Sequence, residues 1–568
     1  MTSAVEYLVN SDASTNDKLA ALRLDEIVTM NVIGTTTYAR TRGNNWFRLL
    51  FFNIGVYTWY LRVTWGYVFC SWIIGELPIF DWALTVVISL LTSIVLLVAL
   101  IFCQLVNIPP VRGIYSWISN RCFNGLGLIN AFYPGLFTAL TGEQIEYAMR
   151  ALSSAPLSSF PPAARREFNL DIATLLLQLA SVVYEHESQP IHGVLNELSE
   201  ARPTNEQLPD LGALPPGTLV DSLFGPEQAA PIKAAFEAGR TAGEDAIRRL
   251  SDFIGLRYEP VSELNNSEGA YCSFFWKPGG NWVVVTFKGT TPFEFADWVT
   301  DFTVNLVSTG EFLQGLDGRI NKGFKDRLWA WDPAGEAGLF PDGGRSWDTI
   351  RVALRVLAHD LAKTELEGAK VNVWFTGHSL GCGLASLAYA RAINSPGDFE
   401  GSPVLIRDAY LFAAPVCGDR ATSLAFNTLT AESEYVRTLW RVTNDKDAVA
   451  TLLPQFGDYP HLVLSPTSPL GFAHLGAELQ MRSLPRASNV TGSFFSFDTV
   501  VDVVSEFTEA QLRSQRDEQV NNAGARTRRF VELVAEMIPL LGRIIAHDTV
   551  LYWDQLSQIS LGTLNWVH

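Results

Sequence analysis

Ser379 stands in the run VNVWFTGHSLGCGLASLAYA, Val371 to Ala390, with Gly377 two residues before it and Gly381 two residues after. A serine hydroxyl that attacks an electrophile must project from a sharp turn at the end of a strand, and such a turn tolerates no bulk at those two positions. The pentapeptide alone arises by chance about 0.2 times in a chain of this length at average glycine and serine usage, so its meaning rests on what flanks it. Before it, Val371, Val373 and Phe375 share one strand face while Trp374 makes the other partly apolar, as a strand buried on both faces requires. After it, Gly381, Gly383, Ala385 and Ser386 are small enough for a helix to lie close to its own strand. The pattern reads as buried strand, tight turn and helix with a nucleophilic Ser379 at the apex; an ordinary glycine turn is the alternative.

A serine is a poor nucleophile until an imidazole takes its proton, and the imidazole needs a carboxylate to hold its tautomer. On an α/β-hydrolase sheet, the usual home of such a turn, the acid and then the histidine follow the serine in the chain. The segment YVRTLWRVTNDKDAVATLLP reads as a strand ending in a turn that carries Asp445 and Asp447. Asp447 is the preferred acid and Asp445 the second choice; as plain solvated turn residues both would be unremarkable. Four histidines follow: His461, His474, His547 and His568. The oxyanion that forms on attack needs two donors. One is expected from the amide of Leu380. The other is expected where the strand Trp282 to Phe287 runs into Gly289 and Thr290, whose amide and hydroxyl are both available.

Strands near 271–276, 282–287, 408–413 and 436–442 alternate with helices over 232–254 and 346–363. Such alternation predicts an α/β fold, a mostly parallel sheet with helices on both faces. The catalytic domain is expected to begin with a helix over 164–184 and to span 164–568. Seven prolines and many acidic residues over 188–231 suggest a Pro-rich surface insertion without packed structure. At 568 residues and 48% hydrophobic the chain can bury a large core. A net charge of −17 argues against a nucleic-acid partner, which would call for a basic surface. The six cysteines show no paired spacing, so a disulfide-stapled secreted enzyme is not expected; neither a metal nor an organic cofactor is implied.

Upstream, residues 1–45 are polar, 46–112 are anchor-like and 113–163 read as a connector. The 25 residues of 82–106 carry no charge, enough to cross a hydrocarbon core about 30 Å thick. Leu49 to Gly75 is nearly as apolar but contains Arg62, and reads as a second span or an interfacial helix. Arg40, Arg42 and Arg48 flank one end of the pair, Arg112 and Arg121 the other, while the link holds only Glu76 and Asp81. That asymmetry suits an N-terminal transmembrane helical hairpin with both ends, and the catalytic domain, facing the cytoplasm. Buried core helices, or a hairpin dipping into one leaflet or a lipid-droplet surface, are the alternatives.

FKGTTPFEFADWVTDF, GRINKGF at Gly318 to Phe324, FTGHSLGCGLA, LFAAPVCGD at Leu411 to Asp419 and VTNDKDAVATLLP resemble, in order and spacing, the motifs of the class 3 (fungal-type) lipases, α/β-hydrolases that act on lipid esters. The resemblance spans 282–454. It implies Ser379 as nucleophile, Asp447 as acid, Thr290 with Leu380 as oxyanion hole, and a lid over 292–298 with Phe293, Phe295 and Trp298 on its apolar side. It also implies His547, in IIAHDTVLYW, as the base, because that segment is similar to the family's pattern of His followed by Tyr and an aromatic. His474 is the alternative, although FAHLGAEL resembles a segment whose histidine is structural. Lys288 and Lys322 stand where the family often has Arg and His. The implied function is a membrane-associated serine lipase acting on acylglycerols, with a phospholipase A-type hydrolase or a non-catalytic membrane scaffold as alternatives.

Overall fold

The computed structural model of the chain describes residues 2–29, 46–75, 77–122, 142–154, 165–186, 192–201, 214–262, 270–290, 295–301, 305–329, 346–365, 370–432, 435–444, 447, 450, 455–458, 468, 470–481, 489–492, 500–508, 510–512, 543 and 546–564. In chain order the strands are β1 (Arg165–Asn169), β2 (Arg257–Ser262), β3 (Cys272–Trp276), β4 (Trp282–Phe287), β5 (Leu306–Ser308), β6 (Arg319–Asn321), β7 (Val371–His378), β8 (Val404–Phe412), β9 (Gly418–Asp419), β10 (Leu439–Asn444), β11 (Phe472–Ala473), β12 (Ala477–Met481), β13 (Asn489–Gly492), β14 (Val500–Val504) and β15 (Gly562–Leu564). The helices are α1 (Thr2–Asn10), α2 (Thr15–Val28), α3 (Trp46–Ile74), α4 (Ile79–Val106), α5 (Pro109–Cys122), α6 (Gly142–Ser154), α7 (Leu170–Val182), α8 (His192–Glu200), α9 (Leu219–Phe253), α10 (Phe295–Asp301), α11 (Lys322–Leu328), α12 (Ser346–Glu365), α13 (Leu380–Asn394), α14 (Arg420–Glu432) and α15 (Thr549–Leu556).

Strands apolar on both faces must be covered on both. The main sheet is eight-stranded, in the order β13-β12-β10-β8-β7-β4-β3-β2. The strands β4, β7, β8, β10 and β12 run parallel, and antiparallel strands close each edge. Along β4 the side chains alternate between two cores. Val283, Val285 and Phe287 join Val371, Val373 and Phe375 beneath α12 and α13. Trp282 and Val284 join Trp374, Tyr410 and Trp440 beneath α6, α7 and α15. This is an α/β-hydrolase sheet with helices on both faces. A small sheet, β11-β9-β6-β5, and a three-stranded one, β1-β14-β15, flank it.

Several segments differ from their sequence reading. The helix expected over 164–184 begins with strand β1, which pairs in parallel with β14; a partner more than 300 residues away leaves no trace in local periodicity. Asn169 then caps α7 by accepting the Ile172 amide at 3.0 Å. The segment 188–231 holds α8 and the start of α9 rather than an unpacked insertion. Gly225, at φ 73°, and Pro226 break α9 so that both its parts present apolar faces, and Leu198, Val220, Leu223 and Phe236 pack with Leu24 and Val28 of α2. Within 113–163, α6 docks on α7 through Ile145, Met149 and Leu152. The polar N-terminal region supplies α1 and α2, which pack on the catalytic sheet and its helices. Their charges are paired: Lys18 with Asp360 at 3.1 Å, Arg23 with Glu244, both fully buried, and Glu26 with the Ser262 hydroxyl at 2.7 Å.

α3 and α4 form an antiparallel pair, tied by the Tyr60 hydroxyl to Thr92 at 2.7 Å, and by the indoles of Trp82 and Trp46 to the carbonyls of Val68 and Gln104, each at 3.0 Å. Among the described residues α4, 28 residues long, is the one helix long and apolar enough to cross a membrane. Phe51, Trp72, Ile73, Leu91, Val98 and Phe102 on the outer faces of the pair are exposed.

Replacing one partner of a fully buried ion pair strands the other charge, which costs about 3–5 kcal/mol. Glu244 accepts from both Arg23 and Arg248, the latter at 2.5 Å, so Glu244→Ala, which takes the carboxylate away from buried Arg23, should lower the thermal unfolding midpoint of the detergent-solubilised chain clearly. An unchanged midpoint would show that α2 does not hold the catalytic domain together.

Candidate active site

The turn at Ser379 is built by close backbone approach. β4 lies beside β7 in parallel, with Phe287 opposite Gly377. A Cβ on Gly377 would stand 2.7 Å from the backbone of Gly381, and one on Gly381 would stand 2.3 Å from the Phe287 carbonyl oxygen. Neither position admits a side chain. Between them Ser379 takes φ 59°, a left-handed conformation costly for a residue with a Cβ, and opens α13 as its N-cap. Its amide donates to the Phe412 carbonyl at 3.1 Å and its carbonyl accepts from the Cys382 amide at 2.8 Å, so the turn is pinned on both sides. The residue is only 5% exposed, so the hydroxyl lies under cover.

Asp447 sits three residues past the end of β10, at the same carboxyl edge of the sheet as Ser379. His547 Nδ1 lies 2.9 and 3.1 Å from its two carboxylate oxygens. Because a carboxylate only accepts, Nδ1 carries the proton and Nε2 is the unprotonated nitrogen, whose lone pair can take one. Asp447 is fully buried, and its charge is balanced by that imidazole and by the Tyr552 hydroxyl, which donates at 2.6 Å. Burial and the adjacent Asp447 hold the Tyr552 phenol well above its ordinary range, so it remains a donor. Asn444 fastens the His547 segment to β10: its side-chain amide donates to the Ala546 carbonyl, and its backbone amide donates to the Tyr552 hydroxyl, each at 3.1 Å.

His378 links these parts. Its Nε2–H donates to the His547 carbonyl at 2.9 Å, which leaves Nδ1 to accept from the Tyr184 hydroxyl, also at 2.9 Å. The rings of His378 and His547 lie 4.6 Å apart. Burial, with a smaller contribution from the neighbouring His547, pushes His378 down to about 3, so it stays neutral and charge changes in the site fall elsewhere. The same Tyr184 hydroxyl stands 1.9 Å from where a Cβ on Gly289 would be, which explains glycine there. A Cβ on Gly289 would also stand 2.5 Å from the carbonyl oxygen of His378, so the end of β4 lies against the residue before Ser379.

Of the remaining sequence candidates, His474 is held elsewhere: its Nδ1 contacts Asp458 at 2.5 Å, and its carbonyl accepts from Ser423. Asp445, His461, His568 and Phe293 lie outside the described residues. Phe295 and Val299 of α10 are buried against α3 and α4, with Trp298 partly buried beside them. Sequence reasoning passed over Tyr184 and Asn444, which carry no local signature. Tyr552 was visible as the tyrosine following His547, though not as a partner of the acid.

Unfolded, His378 titrates near 6.5; folded, near 3. Unfolding between those values takes up a proton, so stability falls as pH falls through that window, by up to about 1.4 kcal/mol per pH unit for this one group. Chemical denaturation from pH 7 to 4 should show that slope, and His378→Phe should lessen it by one proton. An equal slope in both proteins would mean that the imidazole is not shielded from water.

Comparison with known proteins came to the same region of the chain. The profile of the family described as Lipase (class 3) matches residues 284–457, less than a third of the chain, a stretch that includes Thr290, Ser379, Leu380 and Asp447 and stops short of His547. No curated protein matches the chain. Among solved structures, the lipase of Rhizomucor miehei in its propeptide complex is 19% identical, with 41% of this chain covering 58% of that one at a TM-score of 0.27. A lipase from Rhizopus microsporus var. chinensis is 16% identical, covering 42% and 64%, also at 0.27. A triacylglycerol lipase from Penicillium expansum is 18% identical, covering 41% and 73%, at 0.28. Over residues 284–457 this chain matches the family of class 3 lipases.

Proposed function

We propose that the chain is a membrane-associated serine lipase that cleaves the carboxylic ester bonds of acylglycerols through an acyl-enzyme. The observation that carries this reading is the contact between His547 and Asp447, with the His547 ring beside the residue that precedes Ser379. In the first step Ser379 Oγ attacks the ester carbonyl carbon and its proton passes to His547 Nε2. The resulting oxyanion is stabilised by the Leu380 amide and by Thr290. Collapse breaks the bond to the alcohol oxygen, which leaves with the proton from His547. Water, deprotonated by the same nitrogen, then attacks the acyl-enzyme, and a fatty acid departs as Ser379 recovers its proton. Asp447 orients the imidazole throughout and stabilises its protonated form. No step calls for a metal or an organic cofactor.

The exposed apolar outer faces of α3 and α4, together with the uncharged length of α4, support attachment to a membrane or a lipid-droplet surface through this pair, with the catalytic domain on the cytoplasmic side. An enzyme so attached meets lipid substrate concentrated in two dimensions. A phospholipase A-type activity would use the same groups and differ only in the head group accommodated.

A fluorophosphonate probe should label the full chain in detergent, and Ser379→Ala should abolish that labelling; labelling that survives the substitution contradicts the nucleophile. His547→Ala should lower ester turnover on the order of 10³–10⁴-fold, while His474→Ala acts on stability; the opposite pattern would move the base to His474. Lipid profiling of the products from a mixed acylglycerol and phospholipid panel decides between the two substrate classes. Release from phospholipids alone would replace the acylglycerol reading.

A further inference from the structure

α10 is the first helix after the turn that bears Gly289 and Thr290, and one side of it is seated on the α3–α4 pair. Phe295 and Val299 are buried there against Phe52, Val56, Leu96 and Leu100, and the rings of Phe295 and Tyr57 meet edge-on at 6.4 Å. α10 also touches α11 and the nucleophile helix α13. Beside this contact lies a groove between the pair and the catalytic domain, lined by Trp59, Tyr60 and Val63 of α3, Ser89 of α4, and Lys322 and Asp326 of α11.

Three features of the groove point to one kind of occupant. Ser89, in the groove wall, is 1% exposed and its hydroxyl has no hydrogen-bond partner. Buried donors left unpaired cost free energy, and an acceptor brought to them recovers it. Lys322 is already paired with Asp326, so the charged end of the groove is balanced and favours an uncharged ester over an anionic head group. Trp59 of the groove wall is itself 45% exposed, and the other faces of the same helices carry the exposed Phe51, Phe69, Val87, Leu91 and Phe102, the surface read as facing lipid. Ser379 is covered, and a substrate must reach it past something that moves.

We propose that the seam between α3–α4 and α10–α11 is the entrance by which a neutral glycerolipid passes from the bilayer to Ser379, its acyl chain against Trp59, Tyr60 and Val63 and an ester oxygen accepting from Ser89. The α3–α4 pair is then a wall of the substrate path as well as an attachment, an assignment that rests on the lipase reading above.

The test uses the full chain in phosphatidylcholine vesicles containing a diacylglycerol with a diazirine in one acyl chain. Photolysis should cross-link Trp59, Tyr60, Val63, Tyr67 and Ser89. Cross-links confined to the outer face, at Val87 and Leu91, would overturn the proposal. Ser89→Phe and Val63→Trp should each lower the rate on vesicle-borne diacylglycerol, relative to the rate on p-nitrophenyl butyrate, about tenfold or more. Equal rates on vesicle substrate for variant and parent would also overturn it. Cross-linking needs no turnover. A chain that cross-links within the groove but neither labels nor hydrolyses the soluble ester therefore contradicts the lipase reading and leaves the groove assigned.

Discussion

A serine held at φ 59° between two strands and a helix is the constraint on which the rest of this molecule depends. That conformation persists only if the surroundings over-determine it, and here they do so by backbone contact. Gly377 meets the first turn of α13, Gly381 meets the end of β4, and the Ser379 amide is tied to Phe412 at the end of β8. The contacts require β4, β7 and β8 to be neighbours in parallel register, which in turn requires helices on both faces of the sheet. A methyl group at either glycine would push α13 off its strand.

Around that turn the site is assembled from segments far apart in the chain, joined by a short series of hydrogen bonds. Tyr184 reaches His378, His378 reaches the His547 carbonyl, His547 reaches Asp447, and Tyr552 closes the series on the same carboxylate. Every group but His547 is buried, and each bond leaves its donor or acceptor in one defined role. His378, neutral because it is buried, transmits position without adding charge. Asn444 fastens the His547 segment to the sheet end that also carries Asp447, so the positions of both are set by one strand.

The α3–α4 pair enters this arrangement from outside. Its inner face, with Ser89, Thr92 and Leu96, is covered by its own partner helix and by the catalytic domain, whereas its outer face is apolar and exposed. It touches the chain just past Thr290 through α10, so the part read as a membrane attachment and the part read as chemistry share a boundary. The buried ion pairs of α2 do comparable work where it packs on β2, α9 and α12, so that polar residues near the N-terminus become part of the core packing.

The serine turn, the strands around it and the long apolar helix were legible in the amino-acid sequence, because each is encoded by neighbours: glycines two residues away, alternating apolar side chains, an uninterrupted uncharged run. The acid turn after β10 was legible for the same reason. Which histidine approaches Asp447 was not, since spacing alone left four open; resemblance to a family favoured His547, and the fold brings its imidazole to the carboxylate while His474 is engaged by Asp458. The strand at 165–169, the packing of 192–200 and 219–253, the docking of α1 and α2, and the roles of Tyr184 and Asn444 belong to tertiary structure alone. Each depends on a partner tens to hundreds of residues distant, and local patterning holds no information about which distant surface will arrive to bury a charge or accept a proton.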